Sequence, residues 1–218
     1  MTAEIIAVCN QKGGSGKSTI CMHIAAAFHE KERKVLVVDA DPQNTLVRWS
    51  SSGEDQAFPV HVMSLAAAGK NIHREIAKYI GNYQYIFVDC PPSLDTPVPA
   101  NVLAIAGLAI IPLAASPADL WATQGMRSLI ERAQAFNPDL KAYFVLNMVN
   151  KATVLQREIN KLLGDSELPM FAQQIALREA FKQVMALGTT VLNVKLKGAQ
   201  VAADEIRSLA NEVIAAIG

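Results

Sequence analysis

The sequence has few cysteines, no net charge and no apolar run long enough to cross a membrane. Only three of its 218 residues are cysteines (Cys9, Cys21 and Cys90), an odd number without paired spacing. Such a set argues against a disulfide framework and a zinc site, so we expect reduced thiols and a cytoplasmic location. The four histidines also lack metal-ligand spacing. Because basic and acidic residues number 20 each, nucleic-acid binding would need a local patch.

The uncharged stretch at residues 96–118 contains four prolines. Its most apolar part, from Val102 to Ala115, is shorter than the ~20 residues of a membrane-spanning helix, so a helix followed by a buried strand is predicted. No signal peptide, internal repeat, low-complexity tract or linker is evident. The length and the 51% content of hydrophobic residues predict a single α/β domain over residues 1–218.

The most informative stretch runs from Cys9 to Thr19, with the sequence CNQKGGSGKST. It follows an apolar run at residues 5–8 that predicts a buried strand, and it precedes a segment with helical apolar spacing. A strand, a glycine-rich turn and a helix are the context that a phosphate-binding loop requires. Glycines let the backbone turn tightly, so that its N–H groups and the dipole of the new helix face phosphate oxygens. In such a loop Lys17 supplies charge to the β and γ phosphates, and the Ser18 hydroxyl ligates Mg²⁺.

Residues 12–19 resemble the deviant Walker A motif, K-G-G-x-G-K-[ST], of the ParA/MinD group of P-loop ATPases. Gln11 stands where the general phosphate loop has its first glycine, and Lys12 matches the additional lysine of the deviant form. The resemblance implies that ATP and Mg²⁺ are the cofactors, that Lys12 and Lys17 act on the reacting phosphates, and that Lys12 reaches across a homodimer to the partner's ATP. The implied nucleotide-binding residues of the loop are Lys12, Gly13, Gly14, Ser15, Gly16, Lys17, Ser18 and Thr19.

Two aspartates follow predicted strands and extend the resemblance. Asp41 lies after an apolar run at residues 34–39, in the sequence DADPQ, and Asp89 ends the run that begins at Tyr85. Ligands of open α/β sheets bind at such carboxyl ends. The resemblance implies that Asp41 is catalytic and orients or activates the attacking water, whereas Asp89 joins Ser18 at the metal. A helix-capping Asp-Pro turn is the alternative interpretation of Asp41.

Two further residues are candidates for contact with the base. Asn147 lies in a predicted strand at residues 143–149, where the resemblance implies an adenine contact; from the residues alone, a strand-end cap is an equally good interpretation. Pro169 begins a run to Ile175 that resembles the last buried strand of the family, whose start lies near the base.

Strands alternate with helices along the whole chain. The sequence therefore predicts an α/β fold with a mostly parallel central sheet and helices on both faces, which the resemblance makes a P-loop NTPase. Helices are predicted at residues 70–80, 154–163 and 177–187, and a closing helix begins at about Gln200.

The resemblance implies a switch driven by ATP. Two monomers close on ATP, the dimer binds DNA of the nucleoid without sequence preference, and a partner protein linked to a cargo stimulates an otherwise weak hydrolysis. Plasmids, chromosomes, chemoreceptor clusters and carboxysomes are cargoes of similar chains. Non-specific DNA binding needs clustered basic side chains, and the candidates are Lys195, Lys197, Arg178 and Lys182. A solvated basic turn is an equally good interpretation of these residues.

Two other branches of the wider group are alternatives. A MinD-like regulator of the division site binds membranes through a basic amphipathic tail, whereas the polar face of the closing helix here is acidic on balance, so no membrane partner is expected. An electron-transfer ATPase with an iron–sulfur cluster would need a second cysteine correctly placed for Cys90. Because the chain begins at its first strand, we expect the short ParA branch without an N-terminal helix-turn-helix domain.

Overall fold

A six-stranded parallel sheet forms the centre of the fold. The computed structural model describes residues 2–53, 58–93, 95–114, 117–150 and 168–218, with the backbone alone at residues 117–122, so the helix predicted at residues 154–163 lies outside it. The strands are β1 (Glu4–Val8), β2 (Val35–Asp39), β3 (His61–Ser64), β4 (Tyr85–Asp89), β5 (Leu108–Ala114) and β6 (Lys141–Asn147). Their order is β3-β2-β4-β1-β5-β6, and every pairing is parallel. The predicted fold class is therefore confirmed.

Helices cover both faces of the sheet. They are α1 (Lys17–Glu30), α2 (Thr45–Ser51), α3 (Ile72–Ala77), α4 (Pro97–Leu103), α5 (Pro117–Gln134), α6 (Glu179–Ala186) and α7 (Ala199–Ile217). Successive strand residues point to opposite faces, so Ile6 and Val8 pack with α1, α2, α6 and α7, while Ile5 and Ala7 pack with α3, α4 and α5. Two separate apolar layers result, as expected for strands buried on both faces. In the described part of the chain, no helix is both long and apolar enough to span a bilayer.

Two predicted elements differ from the structure. The segment predicted as a strand from Pro169 to Ile175 forms only isolated bridges beside β6, Phe144 with Met170 and Val149 with Ala176. Three N–H groups of this segment and its continuation donate to carboxylates of α7 instead of to a neighbouring strand. The helix predicted at residues 70–80 is shorter, because a 3₁₀ helix at Ala66–Asn71, kinked at Gly69, precedes α3.

The turn after α6 packs tightly against the end of α2. At Gly188 φ is +61°, and a Cβ would lie 2.0 Å from the Gly53 nitrogen and 2.6 Å from the Ser52 carbonyl carbon. The neighbouring carbonyl, that of Thr189, accepts a hydrogen bond from Trp49 Nε1 at 2.9 Å. Glycine is required at position 188 both by the left-handed backbone and by the close approach of another backbone segment.

We predict that Gly188→Ala lowers the free energy of unfolding by about 2–4 kcal/mol, because a clash with backbone adds to the cost of a left-handed alanine. Urea unfolding followed by circular dichroism measures the change. Gly81→Ala is the matched control, because its φ is not positive and no atom lies within 4 Å of its Cβ position. Similar losses in the two variants would contradict the steric explanation.

Candidate functional site

The site lies where three central strands end side by side. In the register of the sheet, Asp89 of β4 lies opposite both Val8 of β1 and Asp39 of β2. Residues opposite each other in parallel strands share a face, so both carboxylates are on the α1 side, directly below the loop that follows β1. This is the carboxyl edge at which open α/β sheets bind ligands.

Asn10 fixes the start of the loop and was not predicted from the sequence. Its side chain is buried, its Nδ2 donates to Pro112 O at 2.7 Å, and its Oδ1 accepts from Lys12 N at 3.1 Å. The last backbone hydrogen bond from the β1 side to β5 runs from Cys9 N to Ile110 O at 3.1 Å. The Asn10 side-chain amide therefore continues the hydrogen-bond ladder with β5 beyond the end of β1. Pro112 in a predicted buried strand was the available signal, because a proline there marks the point where the neighbouring strand has ended.

The loop itself is built around two left-handed glycines and one buried lysine. Gly14 has φ +76° and Gly16 φ +87°, and Gly16 caps α1. Lys17 is only 6% exposed, and its Nζ donates to Lys12 O at 3.1 Å. Burial lowers the pKa of Lys17, while the nearby Asp89 and Asp41 raise it. A buried ammonium beside a glycine-rich loop at the start of a helix is suited to an anionic ligand.

Ser18 and Asp89 meet as predicted for a magnesium site. The Ser18 hydroxyl donates to Asp89 Oδ2 at 2.6 Å, and Asp89 is 1% exposed. Among the described residues, nothing hydrogen-bonds to the buried Asp89 Oδ1. Burial raises the pKa of Asp89 to about 7, opposed by the Ser18 hydrogen bond. A hydroxyl and an unsatisfied carboxylate oxygen fit a divalent cation, whose charge would favour the ionised carboxylate.

Asp39, and not Asp41, holds the helix that follows β2. Its Oδ2 accepts from the N–H groups of Leu46 at 2.9 Å and Val47 at 3.3 Å, at the start of α2. Asp41 is half-buried and makes a local turn, with its Oδ1 accepting from Gln43 N at 2.9 Å. Asp41 also lines a cavity of about 280 Å³, which lies between residues 40–43 and residues 91–93.

A second, mostly apolar cavity of about 110 Å³ begins at the first turn of α1. It is lined by Thr19, Asn147, Met148, Ala176, Leu177, Arg178, Phe181, Lys182 and Met185. Asn147 is buried, and its Nδ2 donates to Ser15 O at 3.0 Å, which ties the end of β6 to the loop. Pro169 is not among the lining residues; it lies beside Tyr143 and Leu140 at a different cavity.

The four predicted basic residues lie in different environments. Arg178 forms an ion pair with Glu205, at 2.6 Å between Nη2 and Oε1, and Lys182 is an exposed partner of Glu179 at 3.3 Å. Lys195 and Lys197 are exposed in the turn before α7.

Within the described ranges, no group of three or more histidine, cysteine, aspartate or glutamate side chains could hold a metal ion.

We predict that Asn10→Ala lowers the free energy of unfolding by about 1–3 kcal/mol, because the buried carbonyl of Pro112 and the half-buried N–H of Lys12 both lose a partner. It should also weaken nucleotide binding, since Lys12 N is no longer held. Urea unfolding and titration with a fluorescent adenine nucleotide measure the two effects. Asn101→Ala is the control, because its amide donates to Lys70 O at 2.9 Å near the surface. An Asn10→Ala protein that binds nucleotide like the wild type would contradict the role of this amide.

Comparison with known proteins agrees with this geometry. The model of the CobQ/CobB/MinD/ParA nucleotide binding domain matches residues 6–191. Maintenance of carboxysome distribution protein A of Halothiobacillus neapolitanus is 34% identical over 215 residues, which cover 97% of each chain. MinD of Pyrococcus horikoshii, the septum site-determining protein in complex with Mg-ADP, superposes with a TM-score of 0.77 at 19% identity, covering 97% of this chain and 96% of that one.

A second solved structure holds an analogue of ATP, the predicted nucleotide. Cobyrinic acid a,c-diamide synthase of Mycobacterium smegmatis, with a bound ATP analogue and magnesium, has a TM-score of 0.74 at 24% identity and covers 97% of this chain and 94% of that one. The ligands predicted here, ATP and Mg²⁺, are thus of the kind that these two structures hold. The matched family model and the 34% identical relative confirm the resemblance drawn from residues 12–19, and the chain belongs to the CobQ/CobB/MinD/ParA family of nucleotide-binding domains.

Proposed function

We propose that this chain is a positioning ATPase of the ParA type, which binds ATP and Mg²⁺, dimerises on ATP and distributes a cargo by cycles of partner-stimulated hydrolysis. The observation that carries the proposal is the Ser18–Asp89 pair, at 2.6 Å, below a loop that contains both Lys12 and Lys17. One small region of the structure therefore contains the hydroxyl and the carboxylate proposed for the metal, the phosphate-binding Lys17 and the additional Lys12.

Each side chain has a defined task in this proposal. Lys17 holds the β and γ phosphates, and Ser18 and Asp89 orient the metal. When bound, Mg²⁺ offsets phosphate charge. Asp41 orients the attacking water, which is consistent with its place on the wall of the cavity between residues 40–43 and residues 91–93. Hydrolysis without a partner is expected to be slow, because the Asp41 carboxylate is held in a local turn by Gln43 N.

The base is proposed to occupy the cavity beside α1. Thr19 lies both in the first turn of that helix and on the cavity wall, so a nucleotide with its phosphates on the loop would direct its base toward Asn147. The remaining wall is largely apolar, as expected for a surface that packs against a purine ring. Pro169 is not proposed as a contact of the base, because it lies at another cavity, beside Leu140 and Tyr143 near the start of β6.

The homodimer is proposed to place Lys12 at the phosphates of the opposite protomer. Lys12 is half-buried and its backbone is fixed at both ends, by Asn10 Oδ1 and by Lys17 Nζ. Because the backbone is already fixed, contact of Lys12 with a second triphosphate requires ordering of the side chain alone.

The cargo is proposed to be a large assembly recognised through a partner protein. The relative from Halothiobacillus neapolitanus is named for the maintenance of carboxysome distribution. Its 34% identity over 97% of both chains favours a cargo of that type for this chain as well.

The dimer would track DNA of the nucleoid through Lys195 and Lys197, with Lys182 and Arg178 as further candidates.

We predict that Lys12→Ala abolishes ATP-dependent dimerisation but changes the affinity for nucleotide by less than about threefold, because its contact is made to the partner's phosphates. Light scattering in non-hydrolysable ATP and Mg²⁺ should give twice the 23.5 kDa of one chain for the wild type and the monomer mass for the variant. Lys17→Ala is the contrasting variant, since it should lose nucleotide binding itself. A Lys12→Ala protein that dimerises normally would refute the proposed dimer.

We predict that the ATP-bound dimer binds DNA without sequence preference, and that replacing Lys195 and Lys197 by alanine weakens this binding and its salt dependence. The slope of log K against log salt should fall in magnitude by about 0.9 for each DNA phosphate that the variant no longer neutralises. Fluorescence anisotropy on two unrelated duplexes measures the slopes. The control removes Lys31 and Lys34, an exposed pair in the turn after α1. An equal loss in both double variants would show that only net charge matters.

A further inference from the structure

Two glutamates of α7 take hydrogen bonds from the chain segment at residues 172–178. Glu212 accepts from Ala172 N at 2.7 Å and from Gln173 N at 2.9 Å, using one carboxylate oxygen for each. Glu205 accepts from Ala176 N at 3.1 Å. The two glutamates are two helical turns apart, so they lie on the same side of α7 and hold the segment at two points.

Glu205 also binds the side chain that ends the segment. The Arg178 guanidinium donates through Nη2 to Oε1 at 2.6 Å and through Nε to Oε2 at 3.2 Å. Glu205 is only 9% exposed. A buried carboxylate with three donors, two of them from a planar fork, fixes its partner in position as well as in orientation. From sequence, this glutamate belongs to the acidic polar face of the closing helix, but in the structure it points inward.

These carboxylates replace a strand ladder. Residues 168–177 run beside β6, with backbone bonds such as Phe171 N to Phe144 O at 2.9 Å and Ile175 N to Leu146 O at 2.9 Å. The opposite side of the segment has no strand neighbour among the described residues, and its N–H groups go to Glu205 and Glu212. The segment is therefore held on one side by the backbone beside β6 and on the other side by the two glutamate side chains.

The held segment forms one wall of the cavity beside α1. Ala176, Leu177 and Arg178 line that cavity opposite Thr19 and Asn147. Ala176 N and the Arg178 side chain are both bonded to Glu205, so the wall cannot shift unless these bonds break. Neither glutamate is among the lining residues.

We propose that Glu205 and Glu212 are positioning residues for the base of the nucleotide, acting through the wall at residues 176–178. This inference rests on the proposed function, in which the phosphates occupy the loop at residues 12–19 and the base enters the cavity. The two carboxylates fix the wall against which the base packs, whereas binding of the phosphates is left to the loop.

The test compares ligands that contain a base with one that has none. Glu205→Gln and Glu212→Gln are titrated with ADP, GDP and pyrophosphate in the presence of Mg²⁺, by calorimetry. We expect the affinity for ADP to fall about tenfold in Glu205→Gln and less in Glu212→Gln, while the affinity for pyrophosphate changes by less than about twofold. The preference for ADP over GDP should narrow in both variants. Glu212 accepts hydrogen bonds from the exposed Ala172 and the half-buried Gln173, so we expect its loss to disturb folding less than the loss of the buried Glu205. Glu212→Gln therefore tests the inference if Glu205→Gln does not fold.

Glu30→Gln is the matched control. Glu30 forms a two-bond pair with Arg207 of α7, with both distances at 2.9 Å, but it does not touch residues 172–178. Glu30→Gln should leave unchanged the ratio of the affinities for ADP and pyrophosphate and the ratio of the affinities for ADP and GDP. If the glutamine variants of Glu205 and Glu212 only lower the melting temperature, or weaken ADP and pyrophosphate equally, the inference is overturned. If the wild type binds neither ligand, the proposed function fails, and the inference fails with it.

Discussion

The side-by-side position of Asp39 and Asp89 is the constraint from which the site follows. Two buried carboxylates on adjacent strands repel each other, so each must be stabilised by other groups. Asp39 is stabilised by N–H groups at the start of α2, and Asp89 by the hydroxyl of Ser18 and the charge of Lys17. One carboxylate thereby joins β2 to α2 and the other joins β4 to α1. A cation bound beside Ser18 would act on both connections at once.

Hydrogen bonds to the ends of the neighbouring strands determine the shape of the loop. Cys9 N completes the backbone ladder to β5, and the Asn10 side chain then bonds Pro112 O and Lys12 N. From the other side, the Asn147 amide bonds Ser15 O. Substituting Gly16 would disturb this arrangement, because a Cβ there would lie 2.1 Å from Asn147 Nδ2. The loop is therefore held at both sides by side-chain amides that follow or end a strand, Asn10 after β1 and Asn147 at the end of β6.

The sequence was sufficient for features that are local along the chain. Strand, loop and helix follow one another at residues 4–30, so the fold could be predicted from local patterns. The meeting of Ser18 with Asp89, 71 residues away, came from the family resemblance of residues 12–19 and 85–89. Features that depend on a partner far away in the sequence could not be predicted from such patterns. Glu205 on an amphipathic helix has the same pattern whether it faces water or a buried N–H. The alternation of Phe171 and Ile175 is likewise the same for a strand paired on both sides and for a segment held by carboxylates.

Helix α7 connects these parts mechanically. It packs against α1 in one apolar cluster, and Arg207 adds a two-bond pair to Glu30 near the end of α1, the helix that begins at the phosphate loop. Through Glu205 it holds the cavity wall, and the turn before it carries Lys195 and Lys197. This helix of 19 residues begins directly after that turn and carries Glu205 as its seventh residue. On the proposed function, a DNA contact at the turn before α7 and a base beside the wall that Glu205 holds would therefore act on the same helix, which gives the two ligands a shared structural element.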